Sequence, residues 1–346
     1  FGQYVMDLKF LEGKTVLVTG STGLIGSNLV SFLINHGSIR VIANGRSKKK
    51  LRIVFDGYLK NENLILLVQD VEKIPLIEEK VDFIFHAAGS QENEKIIKYP
   101  TSIIFANLNG LINCLEIQKT QNQKFDGKCR LIVFSSITIY KNNDNSDKVF
   151  YEEDTSTTAG LADFKIAYSE SKRMCEVIAQ AYKSEFRNDI VIARLSTVYG
   201  YSKLFTKTAF FDFISSAVSG KDIVIRNAAS PKRDNIYIDD AISGLLKIAE
   251  CGVSGEAYNI SSNKLLNNFA SIYDIAKKIA HYVESANISN SNVFFSDTPS
   301  LTCGGTVLDN NKLRNLGWDI STPLEEGIKK TIDKYVNSIY KQRTKY

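Results

Sequence analysis

A short apolar run, Thr15-Val-Leu-Val-Thr19, leads directly into Gly20-Ser-Thr-Gly-Leu-Ile-Gly26 and then into Asn28-Leu-Val-Ser-Phe-Leu-Ile34. The first run reads as a buried parallel strand. The last carries apolar residues at helical spacing and stops at Asn35-His-Gly37, a C-terminal signal. Between them, glycines let the backbone turn tightly, let a pyrophosphate approach the main chain, and let the helix pack close to the strand. The helix start adds free N–H groups and the positive end of its dipole. Strand, glycine turn and helix in this order call for a parallel α/β fold. They mark Gly20, Gly23, Leu24, Ile25 and Gly26 as a dinucleotide cradle.

Apolar runs at Arg40–Asn44, Leu64–Val68, Val81–His86, Arg130–Ser135 and Ile190–Leu195 extend the pattern, with helices expected at 101–118 and 164–182. Strands alternating with helices predict a Rossmann-type doubly wound parallel sheet over 1–195. Beyond 196 the elements shorten, with Phe210–Val218, Asp239–Cys251, Phe269–Val283 and Pro323–Tyr335 as candidates. This predicts a smaller, mostly C-terminal α/β substrate lobe over 196–346, with some segments interleaved. A polar stretch, 141–162, reads as a long loop near the ligand.

Composition narrows the class. The chain has 346 residues, 44% hydrophobic and 23% charged, ordinary values for a globular enzyme. No apolar run approaches about 18 residues and no signal-peptide pattern opens the chain, so a cytoplasmic location is expected, with no membrane partner. The five cysteines (114, 129, 175, 251 and 303) never form a CxxC pair, so neither a metal site nor a disulfide framework is expected. The net charge of +5 is mild and suits small anionic substrates or a plain solvated surface; no nucleic-acid partner is expected.

Tyr168 and Lys172 stand four apart on a predicted helix and so share one face. A free phenol titrates near about 10, too high for a base at neutral pH. A neighbouring ammonium favours the phenolate and makes a tyrosine usable as a base. The strand Leu131–Phe134 ends in Ser135-Ser-Ile-Thr-Ile-Tyr140, which puts hydroxyls at a carboxyl end, where a catalytic donor belongs.

At these residues the chain resembles the extended short-chain dehydrogenase/reductases of the NAD-dependent sugar-nucleotide epimerase/dehydratase family, from about Gly13 to Tyr335. The resemblance places Ser136, Tyr168 and Lys172 on the catalytic triad and Gly20, Gly23 and Gly26 on the glycine fingerprint. It implies that Asp70-Val71 touches adenine, that Ala87, Ala88 and Gly89 pack on the cofactor, and that Asn107 of Asn107-Leu-Asn-Gly110 buttresses the active site. It implies sugar-nucleotide contacts from Ser90, Ser136, Thr138, Thr197 and Arg233, the arginine gripping the diphosphate. Leu316-Gly-Trp318 with Pro323-Leu-Glu-Glu-Gly-Ile resembles the family's C-terminal signature, and the family's dimers imply a homodimer through helices 101–118 and 164–182.

Departures sharpen the expectation. Family members that eliminate water carry Asp-Glu directly after the catalytic hydroxyl, and those that decarboxylate carry a glutamate two positions after it. Here Ile137 and Thr138 stand there. That favours a 4-epimerase, with a keto-sugar reductase as the alternative and a non-catalytic cofactor-binding module as a third reading. Lys141 and Thr197 replace a glycine and an asparagine usual in the family. At the end of the second strand, where NAD enzymes place an acid, Asn44 is uncharged and Arg46 could hold a 2′-phosphate. NADP is therefore expected, with NAD as the alternative.

Overall fold

The computed structural model describes residues 8–89, 93–141, 146–154, 160, 161, 163, 165–204, 208–225, 232–296 and 305–343. Its elements run β1 (Thr15–Thr19), α1 (Leu24–Asn35), β2 (Arg40–Gly45), α2 (Lys48–Val54), β3 (Leu64–Val68), β4 (Phe83–His86), α3 (Asn93–Lys98), α4 (Pro100–Lys124), β5 (Arg130–Ser136), β6 (Lys148–Phe150), α5 (Ile166–Phe186) and β7 (Asp189–Leu195). They continue as β8 (Thr197–Tyr199), α6 (Ala209–Val218), β9 (Ile223–Ile225), β10 (Arg233–Tyr237), α7 (Ile238–Cys251), β11 (Ala257–Ile260), β12 (Phe269–Ala270), α8 (Ile272–Ser285), β13 (Val293–Phe295), β14 (Thr306–Leu308), α9 (Asn311–Arg314) and α10 (Leu324–Arg343).

Seven strands form one parallel sheet in the order β3-β2-β1-β4-β5-β7-β11. Successive residues of a strand face opposite sides, and here both sides are apolar. Val16 and Val18 of β1 join a cluster with Leu29 and Leu33 of α1 and Leu245 and Ile248 of α7. Leu17, between them, joins a second cluster with Leu111 and Leu115 of α4 and Cys175 and Ala179 of α5. The doubly wound sheet expected from the sequence is therefore present, with helices on both faces.

Two element boundaries differ from expectation for definable reasons. Helix α4 runs six residues past Gln118, because its polar-looking end is buried and bonded. Gln118 Nε2 donates to the Cys129 and Asp189 carbonyls at 2.8 and 2.7 Å, and Gln121 Oε1 accepts from Val81 N at 2.9 Å. The segment Phe269–Val283, expected as one element, is a strand and then a helix. Phe269 and Ala270 pair with β10, and Ser271 and Asp274 then form a reciprocal capping box that starts α8.

A mixed sheet of β12, β10, β14 and β6, with β8 beside β10, lies in the later part of the chain, and β9 pairs with β13. Strand β6 comes from the polar stretch 141–162, whereas α7 and β11 come from beyond 196. The division into a dinucleotide part, 1–195, and a substrate part, 196–346, stands as a proposal, with these as its interleaved segments. No helix among the described residues is long and apolar enough to cross a membrane.

The sheet's order reverses between β1 and β4, and ligands of such sheets bind outside the carboxyl ends at that point. Gly20 sits there with φ +63°, and a Cβ on it would lie 2.7 Å from Ala87 O, Ala88 N and Ala88 Cα. Replacing Gly20 with alanine should cost about 2–4 kcal/mol of stability through strain and backbone overlap, read by chemical denaturation.

Candidate active site

Each of the three glycines serves a different purpose. Gly20 lets β1 and the end of β4 approach closely. Gly26 lets α1 sit on the turn, since a Cβ there would lie 2.5 Å from Gly20 O. Gly23 is the one with room: its hypothetical Cβ meets only Gly20 O, at 3.4 Å. It is also the N-cap of α1, with no side-chain cap and no acid in the first turn. The N–H groups of Leu24 and Ile25 follow it. A 12-residue helix start left without a capping side chain and free of carboxylates suits an anionic diphosphate.

Beside the cradle, Asn44 is buried at the end of β2. Its side-chain amide donates to Leu67 O at 3.3 Å and Gln69 O at 2.9 Å, and its backbone carbonyl accepts from Ser21 N and Ser21 Oγ. The sequence places it next to a ribose; in the structure its side-chain amide joins β2 to the end of β3, and its backbone carbonyl holds the glycine turn. Arg46 is exposed, 3.9 Å from Asp70, which caps the turn Val71–Lys73 through Glu72 N at 3.2 Å. Val71 packs under Gly110 of α4, where a Cβ would lie 2.9 Å from its Cγ1.

His86, at the end of β4, is buried. Thr19 Oγ1 accepts from Ala88 N at 3.2 Å and shares a hydrogen bond with His86 Nδ1 at 3.1 Å. Burial, reinforced by the charge of Lys172, holds the imidazole's pKa down to about 3. This neutral histidine ties β1 to β4 beneath Ala87, Ala88 and Gly89.

The triad residues come from two elements that pack together. Ser136 ends β5, and its Oγ accepts from Thr138 N at 3.2 Å and Thr138 Oγ1 at 3.1 Å. Its own proton is therefore left to donate. Tyr168 lies in the first turn of α5, buried against Ile96 and Ile103. One turn on, Lys172 Nζ donates to Phe134 O at 2.9 Å. Asn107 of α4 completes the group. Its Nδ2 donates to Ser171 Oγ at 2.8 Å, while its buried Oδ1 has no partner among the described residues. A Cβ on Gly89 would lie 3.1 Å from that oxygen and 3.4 Å from Lys172 Nζ. Gly89, Asn107 and Lys172 thus meet around one polar spot at the sheet's carboxyl edge. These features fit a dinucleotide running from the α1 turn towards Lys172.

On the substrate side, Thr197 of β8 pairs with Asn235 of β10, two residues from Arg233. Burial pushes the Arg233 guanidinium below its ordinary pKa, and no carboxylate among the described residues pairs with it. Burial, then the nearby Arg233 charge, likewise lowers Lys165. Lys141, unexplained by sequence, bonds Asp163 Oδ2 at 2.8 Å and ties the polar stretch to the turn before α5. Ser90, Pro231 and Cys303 lie outside the described residues.

Sequence reasoning missed a buried cluster behind the triad, in which Glu176 of α5 holds Ser135 and Arg194. Its signal was present: Glu176 follows Lys172 by one helical turn, on the stripe that carries Tyr168.

Comparisons with known proteins place the chain in a family and a fold. The sequence model of the NAD dependent epimerase/dehydratase family matches residues 16–261. UDP-glucuronic acid decarboxylase 1 of Danio rerio is 25% identical over 349 residues, covering 99% of this chain and 78% of that protein. An epimerase structure from Methanothermobacter thermautotrophicus superposes with TM-score 0.79 at 21% identity, covering 97% of this chain and 96% of that one. UDP-glucuronic acid 4-epimerase from Bacillus cereus, in complex with UDP-glucuronic acid and NAD, gives TM-score 0.76 at 23% identity, covering 94% and 100%.

The buried histidine gives a direct test. The His86 imidazole should not titrate between about pH 5 and 8 in NMR spectra, and His86→Asn should remove no titrating resonance.

Proposed function

The chain belongs to the NAD dependent epimerase/dehydratase family, an enzyme family, and from that premise we propose that it inverts C4 of a nucleotide-linked sugar. The observation that supports the reading is that Lys172, one turn after Tyr168 on α5, bonds Phe134 O, two residues before Ser136, at a strand end where Ile137 and Thr138 supply no carboxylate. Dehydration or decarboxylation needs such an acid; inversion at C4 does not. Tyr168 takes the C4 hydroxyl proton and later returns it. Ser136 donates a hydrogen bond to the same oxygen in both its alcohol and ketone forms, since Thr138 has taken up its acceptor side. Lys172, anchored on Phe134 O, keeps a positive charge one turn from the phenol. Arg233 grips the diphosphate, and Thr197 lies on the adjoining strand. When bound, the nicotinamide supplies a reversible hydride store.

The coenzyme we propose is NADP, within a family that binds NAD. The support is the absence of a carboxylate at Asn44 and the exposed guanidinium of Arg46 beyond it. The same pair favours a second reading, a keto-sugar reductase. Mass spectrometry of the coenzyme released from purified protein, with an assay on UDP- and dTDP-hexoses, separates the two. Epimer formed without net coenzyme consumption supports the first reading; stoichiometric NADPH oxidation supports the second.

Tyr168→Phe should lower turnover by at least about 100-fold while bound coenzyme stays near wild-type content. A variant that keeps a tenth of the wild-type rate overturns the assignment of Tyr168 as base.

We also propose a homodimer. Helix α4 exposes Phe105 and Ile112 two turns apart, and α5 exposes Met174 and Val177, although both helices are otherwise well packed. Phe105→Glu should halve the mass seen by light scattering at micromolar concentration; an unchanged mass points to another interface or none.

A further inference from the structure

The end of β5 is bonded to two successive turns of α5. Phe134 O holds Lys172 at 2.9 Å, Ser135 Oγ donates to Glu176 Oε1 at 2.6 Å, and Ser136 follows as the substrate donor. Tyr168, Lys172 and Glu176 are four apart, so they form one stripe of the helix. Glu176 is itself gripped from β7. Arg194, the register partner of Ser135, donates from Nε to Oε1 at 3.0 Å and from Nη2 to Oε2 at 2.8 Å. Both side chains are almost fully buried, at 3% and 6% exposure. Arg194 also donates to Tyr140 OH and, at 2.8 Å, to Glu152 O, and Tyr140 OH donates to Asn259 Oδ1 of β11 at 3.2 Å.

We infer that Glu176, clamped by Arg194 and Ser135, is a positioning residue that sets the rotation of α5 so that Tyr168 and Ser136 meet on one substrate oxygen. This rests on the C4-epimerase reading. A buried ion pair is weak as a source of stability, because apolar residues of similar volume often serve as well or better. A bidentate pair does fix direction. A helix with side chains is about 10–12 Å across, so a rotation of about 10° moves a group at its rim by about 1 Å. A misplacement of that size at a reacting centre costs about 100-fold in rate. The Phe134–Lys172 bond alone does not prevent it, since the lysine stem is flexible.

The test compares Glu176→Gln, Arg194→Gln and the double variant, with UDP-glucose as probe and rates expressed per bound nicotinamide. Glu176→Gln keeps the shape and leaves the guanidinium without its anion. It should lose about 100-fold in kcat while KM stays within about threefold and coenzyme content holds. The double variant, a neutral amide pair, should recover about tenfold. Hydrogen exchange of residues 166–176, which needs no turnover, should speed up at least about tenfold in Glu176→Gln, with α1 unchanged. If kcat stays within twofold of wild type, if its loss simply follows lost coenzyme, or if the double variant recovers nothing, the inference is overturned. A wild type inert towards UDP-glucose bears on the proposed function; exchange in α5 then decides the inference by itself, and unchanged exchange sinks it.

Discussion

The near-contact of two backbones, at Gly20 and at Ala87–Ala88, governs the site. No side chain fits between them: a Cβ on Gly20 would stand 2.7 Å from three main-chain atoms. This closeness brings the end of β4 beside the glycine turn, so the N-terminus of α1 and the small residues after β4 border one crevice. Thr19 reinforces it by holding Ala88 N and bonding His86 Nδ1. Burial, with the Lys172 charge beside it, keeps that histidine uncharged. The polar groups in this region are satisfied almost entirely by one another, and Asn107 Oδ1, buried beside Gly89, is an exception. A lone acceptor in such a place fits a site built for a ligand hydroxyl or ammonium.

Much of this was legible in the residues. The parallel sheet could be read because β1, β2 and β5 are continuous apolar runs, as strands covered on both faces must be. That Tyr168 and Lys172 stand one turn apart on α5 could be read because four-residue spacing on a helix is a geometric statement. What escaped the sequence was polar chemistry in buried places. Gln118 and Gln121 look like a frayed helix end yet bond backbone groups in the interior. Glu176 and Arg194 look like surface charges yet neutralise each other under the sheet. Asn44 looks like a ligand residue, and its amide is bonded to strand ends. Period and spacing reveal faces; they do not reveal which polar groups will find partners after folding.

Charge is distributed unevenly across the crevice. The dinucleotide side depends on backbone dipoles, with the exposed Arg46 near Asp70 at its margin. On the proposed substrate side the charges are side-chain cations: burial lowers the pKa of Arg233, burial and then the Arg233 charge lower that of Lys165, and Asp163 is engaged with Lys141. Desolvating a cation is costly, and a diphosphate beside Arg233 would relieve that cost. Affinity for an anion and tolerance of its absence are therefore set by the same burial.

The seventh strand has a consequence for biosynthesis. Strand β11 covers the outer edge of β7, and its Asn259 accepts from Tyr140 while donating to Asp309 O at 3.0 Å. Between the end of β7 and the end of β11 the ribosome must add roughly 65 residues, which takes about 3–13 s at ordinary elongation rates. Throughout that interval the nascent sheet carries a bare, apolar parallel edge, Val191 and Ala193 among its residues. The growing chain is then open to pairing with a stray strand.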